Sequence, residues 1–200
     1  MALRAKKYFR DYDVRETINA DGRIQKELIY CGDWYRRDCS DRQRTAERWT
    51  YFLSSAAAAG LLLTAMLQRV EANISDPWVQ TVSLLAMIPA FCVLEGAAEA
   101  FFRKGNLKKE NYRERLLMLR VMSLVGALLN LLLFAGYGAA AAGETLTAGT
   151  MIPIVFTGIN VLIYGAIGIR EIRVRYHVIK APPRALDKNE KQNDARKYFD

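Results

Sequence analysis

Two carboxylates, Glu95 and Glu99, stand four residues apart in an otherwise apolar stretch, a spacing that places both on one face of a helix. Acids in such a setting mark proton relays, cation paths or buried ion pairs, because one charge at mid-bilayer costs ~3 kcal/mol. Arg120 is predicted about one turn into the next apolar stretch from the same side, at a depth similar to that of the two acids. Three readings follow: a bridge from Arg120 to a carboxylate that serves packing and register only, a site that handles protons or cations, or unpaired side chains that reach the interface. Asn130 and Asn160 are the other deep polar groups, with Thr157 and Tyr164 near the second. Each Asn is expected to hydrogen-bond across helices, and lining a polar cavity is the alternative. A common interior site built from Glu95, Asn130 and Asn160 requires that three helix faces converge.

Other chemistry is poorly provided for. Cys31 and Cys39 are too few for structural zinc, the single histidine, His177, is far away in sequence, and two carboxylates without further ligands do not define a metal site. There is no Gly-rich phosphate loop, nucleophile elbow or paired-His motif. The expectation is a non-enzymatic protein with no metal and no cofactor.

The elements that must position these residues are four apolar stretches, roughly 49–67, 78–102, 116–142 and 151–169, each near or above the ~20 residues that span a bilayer. Mean hydropathy is −0.03 only because a polar head and tail cancel this apolar middle. The formal net charge of +8 could suggest nucleic acid, but many basic residues lie against the ends of the apolar stretches, so no nucleic-acid partner is expected. Of the 29 Lys and Arg residues only Arg69 falls outside one face. By the positive-inside rule, both termini and the loop between the second and third stretches are expected in the cytoplasm. Without a cleavable signal, the first helix is expected to act as the insertion signal.

The fold class predicted is an all-α integral membrane protein, a four-helix antiparallel bundle over 40–180 with a small cytoplasmic β-hairpin in a head over 1–39. The hairpin reading rests on Asp21-Gly22 between Val14–Asn19 and Arg23–Cys31. Trp34 and Tyr35, beside Arg36 and Arg37, suit the headgroup region or complete a small soluble subdomain. Ser40 and Gln43 form a capping box, so the first helix starts there and carries Arg42, Arg44 and Arg48 out of the membrane before Trp49 marks the interface. The outer connections are short; one holds a chance-level sequon at Asn73 and the Asp76-Pro77 turn. Pro153 is harmless near a helix start, whereas Pro89 is expected to kink the second helix. The fourth helix is expected to run on past Ile169 until Pro182 and Pro183, and the tail over 181–200 reads as disordered. Ala5–Phe9 and Ala195–Phe199 are near-identical basic-aromatic pentapeptides, read as interfacial anchors or as coincidence.

Most of the polar sequence therefore lies on one face. The function expected is an interaction or assembly subunit whose cytoplasmic face, through Trp34, Tyr35, Arg42, Arg44 and Arg48, engages protein partners or anionic lipid. The alternative is a small oligomeric channel or carrier for protons or cations using Glu95 and Glu99. A bacterial plasma membrane is the default location, and abundant small residues such as Gly158, Gly165 and Gly168 serve either packing within the bundle or homo-oligomerisation.

Overall fold

The computed structural model describes residues 11–18, 24–102, 107–142 and 147–180. The described residues divide into two units, one holding those up to Trp34 with Ile179 and Lys180, the other those from Tyr35 to Val178. In the first, strands β1 (Tyr12–Ile18) and β2 (Ile24–Tyr30) pair antiparallel, from Tyr12 opposite Tyr30 to Ile18 opposite Ile24. The Cys31 amide donates to the Asp11 carbonyl at 2.8 Å, which closes the open end. The predicted hairpin is thus present, with its strands moved by one or two residues. Its Asp21-Gly22 turn, the two pentapeptides and the tail over 181–200 lie outside the described residues.

The second unit holds four helices long and apolar enough to cross a membrane. Helix α1 (Asp41–Leu67) begins at the expected capping box: the Gln43 amide donates to Ser40 Oγ at 3.3 Å, and the Ser40 amide to Gln43 Oε1 at 3.1 Å. The short α2 (Glu71–Ser75) and α3 (Pro77–Phe102) follow, and Asp76 Oδ1 accepts the Trp78 amide at 2.9 Å to start α3. Pro89 lies buried inside α3. The third span is composite: α4 (Lys109–Leu116), one π-helical turn over Leu117–Val121, then α5 (Met122–Ala141). Thr147 and Thr150 cap α6 (Ala148–Arg173) reciprocally.

Neighbours run α1, α3, α5, α6 and back to α1, so the bundle closes on itself. Its interior mixes small side chains, among them Ala58, Val79, Ala86 and Val93, with the larger Leu62, Leu133, Tyr51 and Tyr164. Many large apolar side chains also face outward: Leu67 is 79% exposed, Leu162 72% and Leu84 66%. In water such a surface would aggregate, and a lipid environment is the solvent it fits. Close approach is permitted where glycine faces a neighbour. A Cβ at Gly168 would lie 2.8 Å from a Leu124 methyl, and one at Gly126 would lie 3.4 Å from the Tyr164 ring.

Two features depart from the expected all-helical unit. β3 (Trp34–Arg37), β4 (Leu107–Lys108) and β5 (Tyr176–Ile179) form a second small sheet in the order β4-β3-β5. The fourth helix stops at Arg173, with the Val174 amide donating to the Arg170 carbonyl, and the segment expected to continue it becomes β5. Tyr176, Val178 and Ile179 suit a strand, and pairing with β3 offers their backbone groups partners that a frayed helix end lacks.

Candidate functional site

Polar residues on the end of the bundle that carries β3, β4 and β5 converge on a buried ion network. Glu171, in the last turn of α6, is fully buried. Its carboxylate lies 3.4 Å from Arg37 Nη1, and Tyr176 Oη donates to its other oxygen at 3.4 Å. The same Arg37 nitrogen lies 3.1 Å from Glu47, whose second oxygen accepts from Arg170 at 2.9 Å. Both contacts of Arg37 are at ion-pair range without hydrogen-bond geometry, which leaves Glu47 Oε2 and Glu171 Oε1 attracted but not hydrogen-bonded. Beneath them the Tyr51 ring receives both guanidiniums, at 5.8 Å for Arg37 and 5.6 Å for Arg170.

The electrostatics follow from burial and pairing. Burial pulls the Arg37 guanidinium down, but the Tyr51 hydroxyl and Glu171 more than offset this and hold it above its ordinary value. Burial, opposed by Arg115 and helped by Glu171, leaves the Tyr176 phenol pushed up to about 12. The network therefore joins β3, α1, α6 and β5 through paired charges and one phenol.

Beside it lies an open cleft of about 560 Å³, counting the space in its mouth. Its walls carry Arg44 and Arg48 from α1, Arg115 from α4, Arg37 from β3, and the acids Glu47 and Glu99. Tyr35 and Tyr176 supply aromatic walls. Tyr35 is held rigid by stacking on Tyr112 at 4.2 Å, and Tyr112 meets Tyr176 edge-on at 4.9 Å. One residue further along α1, Trp49 packs on Phe101, which stacks on Phe52, an aromatic cluster at the first turn of apolar sequence.

The residues expected to act together are dispersed. Arg120 does not meet the acids of α3: its Nη2 donates to the Glu171 carbonyl at 2.7 Å, on α6. Arg120 belongs to the π-helical turn, and a π turn shifts the side chains beyond it around the helix relative to regular α spacing. Glu95 is exposed on the outer face of α3, while Glu99 reaches the cleft. Asn130 and Asn160 are both fully buried, but the first donates to the Gly126 carbonyl of its own helix at 2.8 Å. The second donates across helices to the Ala58 carbonyl at 3.1 Å, the interhelical bond expected of it. Thr157 likewise bonds its own helix, at the Pro153 carbonyl.

Of the basic-face residues, Arg44 and Arg48 line the cleft with Tyr35, Arg42 is exposed, and Trp34 meets Tyr30 edge-on at 5.1 Å within the hairpin unit. Arg37, Glu47, Arg115, Glu171 and Tyr176 escape a sequence reading, because nothing in their spacing singles them out from the surrounding charges. The sequon asparagine is also structural: Asn73 Nδ2 donates to the Ala65 and Gln68 carbonyls at the end of α1, and its Oδ1 accepts from Tyr137 at 2.6 Å. Among the described residues no three His, Cys, Asp or Glu side chains gather as a metal site would require.

These features are those of an α-helical membrane protein, with four helices long and apolar enough to cross a bilayer. Comparison of the chain with protein-family models, with curated proteins and with solved structures finds no match.

Proposed function

We propose that the protein is a non-enzymatic membrane subunit whose basic end, facing the cytoplasm, engages protein partners or anionic lipid. The observation that carries this reading is the cleft at that end, where four arginines from three elements face an opening rigidly walled by tyrosines. Binding surfaces are rich in arginine and tyrosine because both offer large contact area with directed hydrogen bonds. The buried network behind the cleft contributes positioning: it holds β3 against the ends of α1 and α6.

A tagged full-length chain recovered from its own membranes tests the reading. Charge reversal at the exposed Arg36, Arg42 and Arg113 should abolish recovery of co-purifying proteins, whereas changes at Gln68 and Glu71, at the other end, should not. Equal recovery from both variants would exclude the basic end as the interaction face.

A second reading, an oligomeric proton or cation pathway, draws on one observation. Glu95 stands on the outward stripe of α3 that otherwise presents Leu84, Ile88 and Phe91, and an acid facing lipid is costly unless another protomer covers it. Replacing Glu95 and Glu99 by Gln should then change pH-dependent flux in liposomes, and identical flux would remove the pathway.

A further inference from the structure

We infer that the arginine cleft is a binding site for a phosphate group, donated either by an anionic lipid headgroup or by a soluble phosphate compound. The inference deepens the proposed function and rests on it, since it names the chemistry that the basic end recognises.

Three observations carry it. First, arginines that line the cleft carry donors without acceptors. Arg44 Nη2 and Arg115 Nε are buried without a hydrogen-bond partner among the described residues, and Arg44 is otherwise held only by Asp41, at 3.5 Å through Nη1. A buried guanidinium nitrogen left unbonded is costly, and an oxyanion with several lone pairs is the ligand that relieves it. Second, like charges are crowded. Arg44 and Arg115 both bear on Arg48, so with Arg37 four cations line the cleft against two acids, Glu99 and Glu47, the second already paired with Arg37 and Arg170. Such crowding resists compaction unless an anion sits among the charges, and the planar guanidinium fork matches phosphate oxygens. Third, the depth is right for a headgroup. Arg48 directly precedes Trp49, and Ala100 of the cleft directly precedes Phe101, so the opening adjoins the aromatic cluster where the apolar belt begins. Interfacial aromatics occupy the headgroup level.

The inference is tested on the purified full-length protein with two probes. Native mass spectrometry follows retention of phosphatidic acid against oleate, an anionic amphiphile without phosphate, from mixed phosphatidylcholine micelles. Calorimetry follows inorganic phosphate against chloride at matched ionic strength. Wild type should retain phosphatidic acid about tenfold better than oleate, as expected for one or more charge-assisted bonds. The pair Arg48→Gln with Arg115→Gln should weaken binding about a hundredfold, at about tenfold for each such bond lost. The pair Arg173→Gln with Arg175→Gln, which removes the same charge from exposed positions outside the cleft, should change it little. Arg48→Lys with Arg115→Lys should keep part of the affinity. If the glutamine pair does not fold, Arg44→Gln alone should cost about tenfold. Binding of phosphatidic acid alone assigns a lipid headgroup, and binding of inorganic phosphate as well assigns a soluble phosphate compound. Equal loss in the two glutamine pairs, or no preference for phosphate over oleate or chloride, overturns the inference. Partner recovery that persists in the 48/115 pair alongside such a failure would leave the interaction reading standing, and phosphate binding without partner recovery would do the reverse.

Discussion

Glu171 and Arg37 are the pair most sensitive to change, because each is almost wholly removed from water and each is the other's counter-charge. Removing Arg37 leaves the buried Glu171 carboxylate without its cation, at a cost of about 3–5 kcal/mol, whereas replacing both by apolar side chains of similar volume is often neutral. Arg37→Met should therefore lower the unfolding temperature sharply in detergent, and adding Glu171→Leu should recover much of the loss. Additive destabilisation in the double variant would mean that the two charges act independently. Tyr176 adds a pH signature. Its phenol holds its proton up to about 12 in the fold, against about 10 in the unfolded chain, so the folded state binds more protons between those values. Stability from this group is complete below pH 10 and declines as pH rises toward 12. Tyr176→Phe should flatten that decline relative to wild type in alkaline unfolding curves. None of these residues stood out by type or spacing, since Arg37 is one arginine among many and Glu171 sits in a run of charges beyond the last apolar stretch.

At the level of elements, what could be read in advance was local. The capping box at Ser40 and the tolerance of Pro153 depend on residues within one turn, and both hold. The π-helical turn and the β4-β3-β5 sheet were not legible, because both follow from how distant segments satisfy one another. The packing of α6 on α5 gives a sharp contrast between two of its glycines. Gly168→Val forces a side chain into Leu124 and Ser123 and should cost about 1–3 kcal/mol, whereas Gly165 faces open space. Gly165→Ala should be neutral or stabilising by up to about 1 kcal/mol, through helix propensity alone. Thermal unfolding of the two variants checks the pair, and equal effects would mean that the helices are not in this close contact. Asn73→Ala should likewise loosen the turn between α1 and α3, by about 1–3 kcal/mol, because it strands the end carbonyls of α1 and the Tyr137 hydroxyl.

For the whole molecule, orientation in the membrane is the outstanding expectation, and it follows from the Lys and Arg distribution. Single cysteines at Arg36 and His177 should be shielded from an impermeant thiol reagent in intact cells, while cysteines at Glu71 and Thr147 should react. The reverse pattern would invert the bundle and move the arginine cleft to the outer face. The number, length and polarity of the spanning helices were determined by the sequence itself, because a bilayer demands long continuous runs of apolar residues and such runs are visible one residue at a time. Which charges meet was decided only by the tertiary structure. Arg120 and the acids of α3 have compatible depth, yet the π turn and the ring of helices bring Arg120 to α6, and leave Glu95 outside and Glu99 in the cleft. Depth along a helix is a one-dimensional quantity that spacing records. The direction a side chain faces depends on helix rotation, and packing between helices sets that rotation.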